Sequence, residues 1–430
     1  MKIAVIGLYH LGCVTAACMA DAGHEVLGFD PDPEQIDALR QNKTPIFEPG
    51  LDDLLLKNTR TKKLNYSSDP RDISQSDILW ITFDTPVDEN DVADVESVLS
   101  QVKKLLPFAK HNALLLISSQ IPVGTTRKLQ EFCVNHFPEK NIFFGYSPEN
   151  LRLGNAIKTF TQPDRVIVGI DDASEKSRIQ QLFHPLTDHI IWMSIESAEM
   201  TKHALNAFLA TSVVFINELS SLCERVGANA REVEQGLKSE LRIGKKAYLR
   251  PGNAIGGGTL LRDVGYLIQL GEQKNYQTNL FSAVLESNHY HKQWTQRKLT
   301  EMIKNFANKK ITALGLTYKA GTDSLRRSTT IELCQWLNQQ GARVHAYDPV
   351  LATLPDDLTQ VIKLENSLNS AIQQSDAVLI STEWPEFSTL TTQDILTLAN
   401  TPLVIDPSGF LAEKLSHDPR IQYISVGGTI

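Results

Sequence analysis

Two stretches of the 430-residue chain carry residue types whose spacing can do chemistry. The first, "KIAVIGLYHLG", runs from an apolar strand-like segment into helix-like text and gives Gly7-x-Tyr9-x-x-Gly12. Glycines at a strand-to-helix turn let the backbone approach a pyrophosphate, and the usual pattern has a third glycine where Tyr9 stands. Eighteen positions after Gly12 comes Asp30, at the end of the next strand-like segment, "HEVLGFD". A carboxylate there accepts hydrogen bonds from an adenosine ribose and repels a 2′-phosphate, which predicts NAD rather than NADP. "TFDTP", residues 82–86, ends a later strand on what should be the same carboxyl edge and brings Thr85 to it. The second stretch, "PGNAIGGGTLLRD" (251–263), sets Gly256, Gly257 and Gly258 before a hydroxyl, Thr259, and a basic and acidic pair, Arg262 and Asp263. That is the composition of an active-site loop.

The elements that must position these residues follow from periodicity. Short apolar runs, "KIAVIG", "HEVLGFD", "DILWITFDTP", "ALLLISS", "NIFFGYSP", "RVIVGI" and "HIIWMS", alternate with amphipathic stretches in the first half. Strands alternating with helices imply a parallel sheet covered on both faces. From Ser197 to Val226 there is no Gly or Pro, and Leu205, Phe208, Leu209, Ile216, Leu219 and Cys223 recur at helical spacing, which predicts one long helix. Helical text continues to about 298, and strand-helix alternation resumes at Lys309 with "KKITALGLTYK", "ARVHAYDP", "DAVLISTEW", "TPLVIDPSG" and "IQYISVGG". The reading is an α/β chain of two doubly wound, Rossmann-like domains joined by a central helical domain. Its boundaries are 1–196 for an N-terminal dinucleotide domain, 197–298 for the helical middle and 299–430 for the C-terminal domain.

Composition narrows the partners. A formal net charge of −8 argues against nucleic-acid or anionic-membrane surfaces, which need clustered cationic charge. Five cysteines without CxxC or metal-ligand spacing suit reduced thiols in a reducing compartment, the cytoplasm, with no metal site. The start, "MKIAVIGLYHLGCVTAACMADAG", imitates a signal peptide, but Tyr9 and His10 interrupt the run and a second strand follows at once. It reads as a folded β-turn-α unit, and no other segment is expected to approach the length of a membrane span.

Ten blocks in order resemble the UDP-glucose/GDP-mannose dehydrogenase family: "MKIAVIG", "TPIFEPGLDDLL", "IPVGTT", "SPENLR", "PDRVIVG", "KHALNAFLA", "FINELSSLCERVGA", "RIGKKAYLRPG", "GLTYKAGTDSLRRS" and "TEWPEF". The resemblance implies two successive oxidations by NAD that take a nucleotide sugar's C6 alcohol to aldehyde and then carboxylate, usually for surface-polysaccharide precursors. It also implies a homodimer built on the central helical region and a C-terminal domain that grips the nucleotide sugar. Carried over position by position, Lys202 and Asn206 match a helix-borne pair, four apart and so on one face. The lysine would stabilise a developing alkoxide, and the amide would hold a water or the substrate oxygen. Asp263 matches an aspartate implicated in base catalysis and Glu149 a glutamate lining the hydride-transfer site. Lys319 and Arg326 resemble phosphate and cofactor contacts, Arg242 an arginine that reaches a neighbouring subunit's substrate, and Gly256 and Gly257 belong to the substrate loop.

The departures cluster at the site. The family loop has the form GGSCFPKD, and the nucleophilic cysteine falls on Thr259. A thiolate would add to the aldehyde, and loss of hydride would give a thioester for water to cleave. A threonine hydroxyl ionises far higher and needs a dedicated base, and no histidine occurs in the loop. Gln120 stands where threonine is usual, Asn150 replaces a phenylalanine, Leu261 and Arg262 replace Pro-Lys, and "DPSGF" lacks an arginine. The expectation is an NAD-dependent oxidoreductase whose covalent second oxidation is altered or lost. Two alternatives stand beside it: a full four-electron dehydrogenase working through the aldehyde hydrate, and a non-catalytic NAD or nucleotide-sugar binding regulator.

Overall fold

The computed structural model describes residues 1–86, 94–149, 151–256 and 258–428. Gly257 and Asn150 therefore lie outside the described residues. Contacts divide the chain into two units, Met1–Ala204 and Leu205–Ile430.

The first unit holds an eight-stranded sheet of β1 (Lys2–Ile6), β2 (Glu25–Phe29), β3 (Leu64–Ser67), β4 (Ile78–Ile81), β5 (Leu114–Ile117), β6 (Phe143–Tyr146), β7 (Val166–Ile170) and β8 (Ile190–Met193), ordered β3-β2-β1-β4-β5-β6-β7-β8. The central strands read as unbroken apolar runs because both faces are covered. Along β1, Ile3 and Val5 join one core while Ala4 and Ile6 join the other, and β4 and β5 divide their side chains in the same way. One pairing departs from the all-parallel expectation: β6 and β7 run antiparallel. The register still brings the end of β8 to the carboxyl edge, since Met193 is level with Gly169 and Gly169 with Tyr146, the last residue of β6.

There the long helix begins. It spans Ile195–Val226, and Gly227, at φ +73°, ends it in the left-handed conformation that suits glycine. By length and a mean hydropathy of 1.3 this helix is apolar enough to cross a membrane, contrary to the expectation that no such segment exists. Its ionisable residues are concentrated near its ends, so the middle reads as apolar. Glu199, Lys202, His203 and Asn206, at i, i+3, i+4 and i+7, form a buried polar seam, continued by Asn217 and Ser220, as in a helix of a protein interior. Ile216 and Cys223 are buried too, but Phe208 is 72% exposed. The apolar periodicity thus covers two faces.

The second unit carries a six-stranded parallel sheet of β9 (Lys310–Leu314), β10 (Arg343–Tyr347), β11 (Ile362–Leu364), β12 (Ala377–Ile380), β13 (Leu403–Ile405) and β14 (Gln422–Ile424), ordered β11-β10-β9-β12-β13-β14. Both sheets contain the same 3-2-1-4-5-6 order, whose reversal beside the first strand opens the crevice where such sheets take ligands.

Candidate active site

The turn after β1 is shaped for close approach. Gly7 has φ +97°, and a Cβ there would lie 2.7 Å from the Phe83 backbone nitrogen. A Cβ on Gly12 would overlap the Gly7 carbonyl oxygen. Tyr9 caps the helix His10–Asp21 at φ −87° and ψ −150°, an extended conformation open to any residue, with its side chain 45% exposed. The missing glycine therefore leaves no backbone strain. Asp30, after β2, accepts the Leu8 N–H at 2.8 Å and the Asp32 N–H at 3.0 Å. Burial raises its pKa against the pull of those two bonds. Thr85 is buried and donates its hydroxyl to the Gln120 carbonyl at 2.6 Å. The glycine cradle and a carboxylate with acceptor capacity left over fit a dinucleotide.

The same turn recurs in the second unit, and its acid is used differently. Gly315, at φ +88° after β9, is followed by Leu316. Asp348, after β10, accepts the Leu316 N–H at 2.8 Å, the Thr317 N–H at 3.1 Å, the Thr317 hydroxyl, the Trp384 indole N–H and the Val350 N–H. Four of these five donors converge on Oδ2, and the Val350 N–H goes to Oδ1. Asp348 is buried, whereas Asp30 is only half-buried.

Lys202 and Glu149 meet in the first unit. The Lys202 ammonium donates to the Glu149 backbone carbonyl at 2.6 Å and to its carboxylate at 3.1 Å, and the Leu151 N–H donates to the other carboxylate oxygen at 2.7 Å. Lys202 is only 5% exposed, a burial that an ammonium tolerates because it is paired. In the second unit, the Asn206 amide donates to the Asp263 carboxylate, and both side chains are buried. Thr259 opens the helix Thr259–Gln273 that carries Asp263 one turn later. Its side chain is exposed and makes no hydrogen bond among the described residues. No thiol stands in for it: all five cysteines are buried, and burial pushes the Cys18 and Cys334 thiols up to about 12.

The remaining expected residues lie in the second unit. Arg242 is 88% exposed and donates to its own neighbour Glu240 at 2.9 Å. Lys319 lies 5.6 Å from the Tyr318 ring centroid, Arg326 is exposed, and Gly256 is half-buried, 3.6 Å from the Arg327 carbonyl by its would-be Cβ. Two residues of the long helix escaped notice in the sequence. Glu199 accepts the Gly124 and Thr126 N–H groups at 2.6 and 2.9 Å, closing the N-terminus of the helix Thr125–His136, and burial raises its pKa against those bonds. His203 bonds the Ile121 carbonyl at 2.9 Å. The signal was the polar i, i+3, i+4, i+7 spacing around Lys202.

Comparison with known proteins agrees along the whole chain. Residues 1–187 match the NAD binding domain of the UDP-glucose/GDP-mannose dehydrogenase family, 196–290 its central domain and 312–413 its UDP binding domain. A UDP-glucose 6-dehydrogenase of Bacillus subtilis (strain 168) is 32% identical over 430 residues, covering 99% of this chain and 98% of that one. One from Rhizobium meliloti (strain 1021) is also 32% identical, at 99% coverage of both. Among solved structures, a UDP-glucose dehydrogenase from Pyrobaculum islandicum superposes with a TM-score of 0.85 at 26% identity, covering 99% of this chain and 96% of that one.

Proposed function

The chain belongs to the UDP-glucose/GDP-mannose dehydrogenase family, and we propose that it oxidises the C6 alcohol of a UDP-glucose-like nucleotide sugar to the aldehyde without a covalent second oxidation. It is an NAD-dependent oxidoreductase acting on CH–OH groups. The observation that carries the finer reading is the Thr259 hydroxyl, exposed and without a hydrogen-bonding base among the described residues, in a chain whose thiols are all buried.

Bound NAD supplies the hydride acceptor. Gly7 and Gly12 admit its pyrophosphate, Asp30 takes the ribose, and Thr85 lies at the same carboxyl edge. The Lys202 ammonium, already aimed by Glu149, stabilises negative charge on the C6 oxygen as its proton leaves. Asp263, held by the Asn206 amide, supplies the carboxylate that takes the proton through a water. With no thiol or activated hydroxyl, the aldehyde has no protein nucleophile to add to it. Lys319 and Arg326 would supply cationic charge for the diphosphate, and Gly256 would line the sugar.

The test is the number of NADH formed per UDP-glucose consumed, with and without an aldehyde trap. One NADH with trapped aldehyde supports the reading. Two without the trap would mean full oxidation through the hydrate, and NAD binding without turnover would mean a regulatory binder.

The same reading includes a homodimer. Phe208, Phe215 and Leu222, seven residues apart and each at least half exposed, form an apolar stripe on the long helix that a second copy would cover, and Arg242 then acts across the interface. The five buried, unpaired thiols support a reducing, cytoplasmic setting.

A further inference from the structure

Glu48 belongs to none of the roles assigned above, yet its side chain is 1% exposed and bonded three ways. One carboxylate oxygen lies 2.9 Å from His10 Nε2 and accepts the Gly154 N–H at 2.8 Å. The other accepts the Ala156 N–H at 2.8 Å. A buried carboxylate needs such partners, but the identity of these three is informative. His10 is the first residue of the helix that leaves the dinucleotide turn. Gly154 and Ala156 follow Glu149, whose carbonyl and carboxylate hold the Lys202 ammonium. Capping the short helix Ala156–Thr161 requires only the two backbone groups, so the bond to His10, 38 residues away, has a different consequence. It ties the cofactor turn to the segment that aims the lysine.

We propose that Glu48 and His10 are a positioning pair that holds the Glu149 segment in register with the dinucleotide turn during hydride transfer. The inference deepens the proposed function and rests on it. Misplacing a reacting group by about 1 Å costs on the order of 10²-fold in rate, so a tether that leaves binding untouched still governs turnover.

The experiment compares His10→Phe, which fills the site without a donor, with His10→Gln, whose amide N–H can reach the same carboxylate. NADH affinity is read by fluorescence, kcat with UDP-glucose, and amide hydrogen exchange over residues 151–156. The expected result for His10→Phe is a kcat lower by about tenfold to a hundredfold, with the NADH dissociation constant within about twofold of the parent. Exchange in 151–156 should quicken, and His10→Gln should restore both kcat and protection. An unchanged kcat in His10→Phe, equal behaviour of the two variants, or NADH affinity falling in step with kcat/KM would each overturn the proposal. The last outcome would make His10 a cofactor contact. Should the parent fail to oxidise UDP-glucose, the proposed function falls separately, and unaltered exchange in His10→Phe would still refute the tether.

Discussion

The Lys202 ammonium is held by two oxygens of one residue, the backbone carbonyl and the carboxylate of Glu149, at 2.6 and 3.1 Å. A carbonyl cannot move away without moving the chain, so the ammonium's position is set by the backbone of residue 149 and not by a flexible side chain alone. Lys202 is nearly buried, and on the proposed mechanism an ammonium in such a setting would act on a developing alkoxide more strongly than it would in water.

Lys202→Met should therefore lower kcat by about 10²-fold or more, the cost of removing one preorganised electrostatic donor, while the KM for UDP-glucose changes far less. Steady-state kinetics over both substrates decides it. An unchanged kcat would remove Lys202 from the chemistry.

Thr259→Cys probes what the loop still allows. Thr259 is exposed at the start of its helix, and a thiol at a helix N-terminus is stabilised as thiolate. The NADH yield per UDP-glucose should rise from one towards two, with a thioester trappable by hydroxylamine. A yield that stays at one would show that further changes, such as those at Leu261 and Arg262, also block the second oxidation.

Much of the fold is legible in the sequence. Central strands such as β1, β4 and β5 announce themselves because burial on both faces demands unbroken apolar runs. The long helix was readable from its missing Gly and Pro, and starts two residues before the expected Ser197. The edge strands β3, "LNYS", and β11, "IKL", were missed, since each has just two apolar residues separated by a polar one and no apolar run to mark it. The reversal of β7 was hidden for another reason: strand direction depends on how the connection folds, not on which residues are apolar. At the site, residue types pointed to the glycine turn and to Asp30, and the structure places Asp30 after β2 with its carboxylate on the Leu8 N–H of that turn. The pairings of Lys202 with Glu149 and of Asn206 with Asp263 join residues 53 and 57 positions apart, and only the folded chain shows them.

His291 gives the second unit a pH dependence of known sign. Burial lowers its pKa below the ordinary value, the bond to the Gly252 carbonyl only partly opposing this. The unfolded chain then binds the proton more readily, so stability rises with pH across the window between the folded value and about 6.5, and is lost as pH falls into it. Burial likewise lowers the pKa of His24 and His345, so the parent's melting temperature should drop on acidification below about 6.5. In His291→Gln the drop should be shallower. Equal slopes would mean that His291 does not titrate differently in the two states.

The stripe of Phe208, Phe215 and Leu222 sets the last prediction. An exposed phenylalanine is unremarkable alone, but three large exposed apolar side chains at a seven-residue repeat share one face, as one position of a heptad does where two helices pack. Phe208 and Phe215 are 72% and 50% exposed, so covering them would remove only that part of the roughly 150–250 Å² that an aromatic side chain can bury, and charge placed at the centre of such a seam would face its own symmetry mate. By light scattering the parent should therefore run as a dimer and Phe208→Glu with Phe215→Glu as a monomer. If Arg242 acts across that interface, the monomer should also lose UDP-glucose affinity while keeping NADH affinity, because the dinucleotide turn, Gly7 to Asp30, lies wholly within the first unit. A variant that remains dimeric would assign the interface to another surface, and a monomer with undiminished UDP-glucose binding would confine Arg242 to its own subunit.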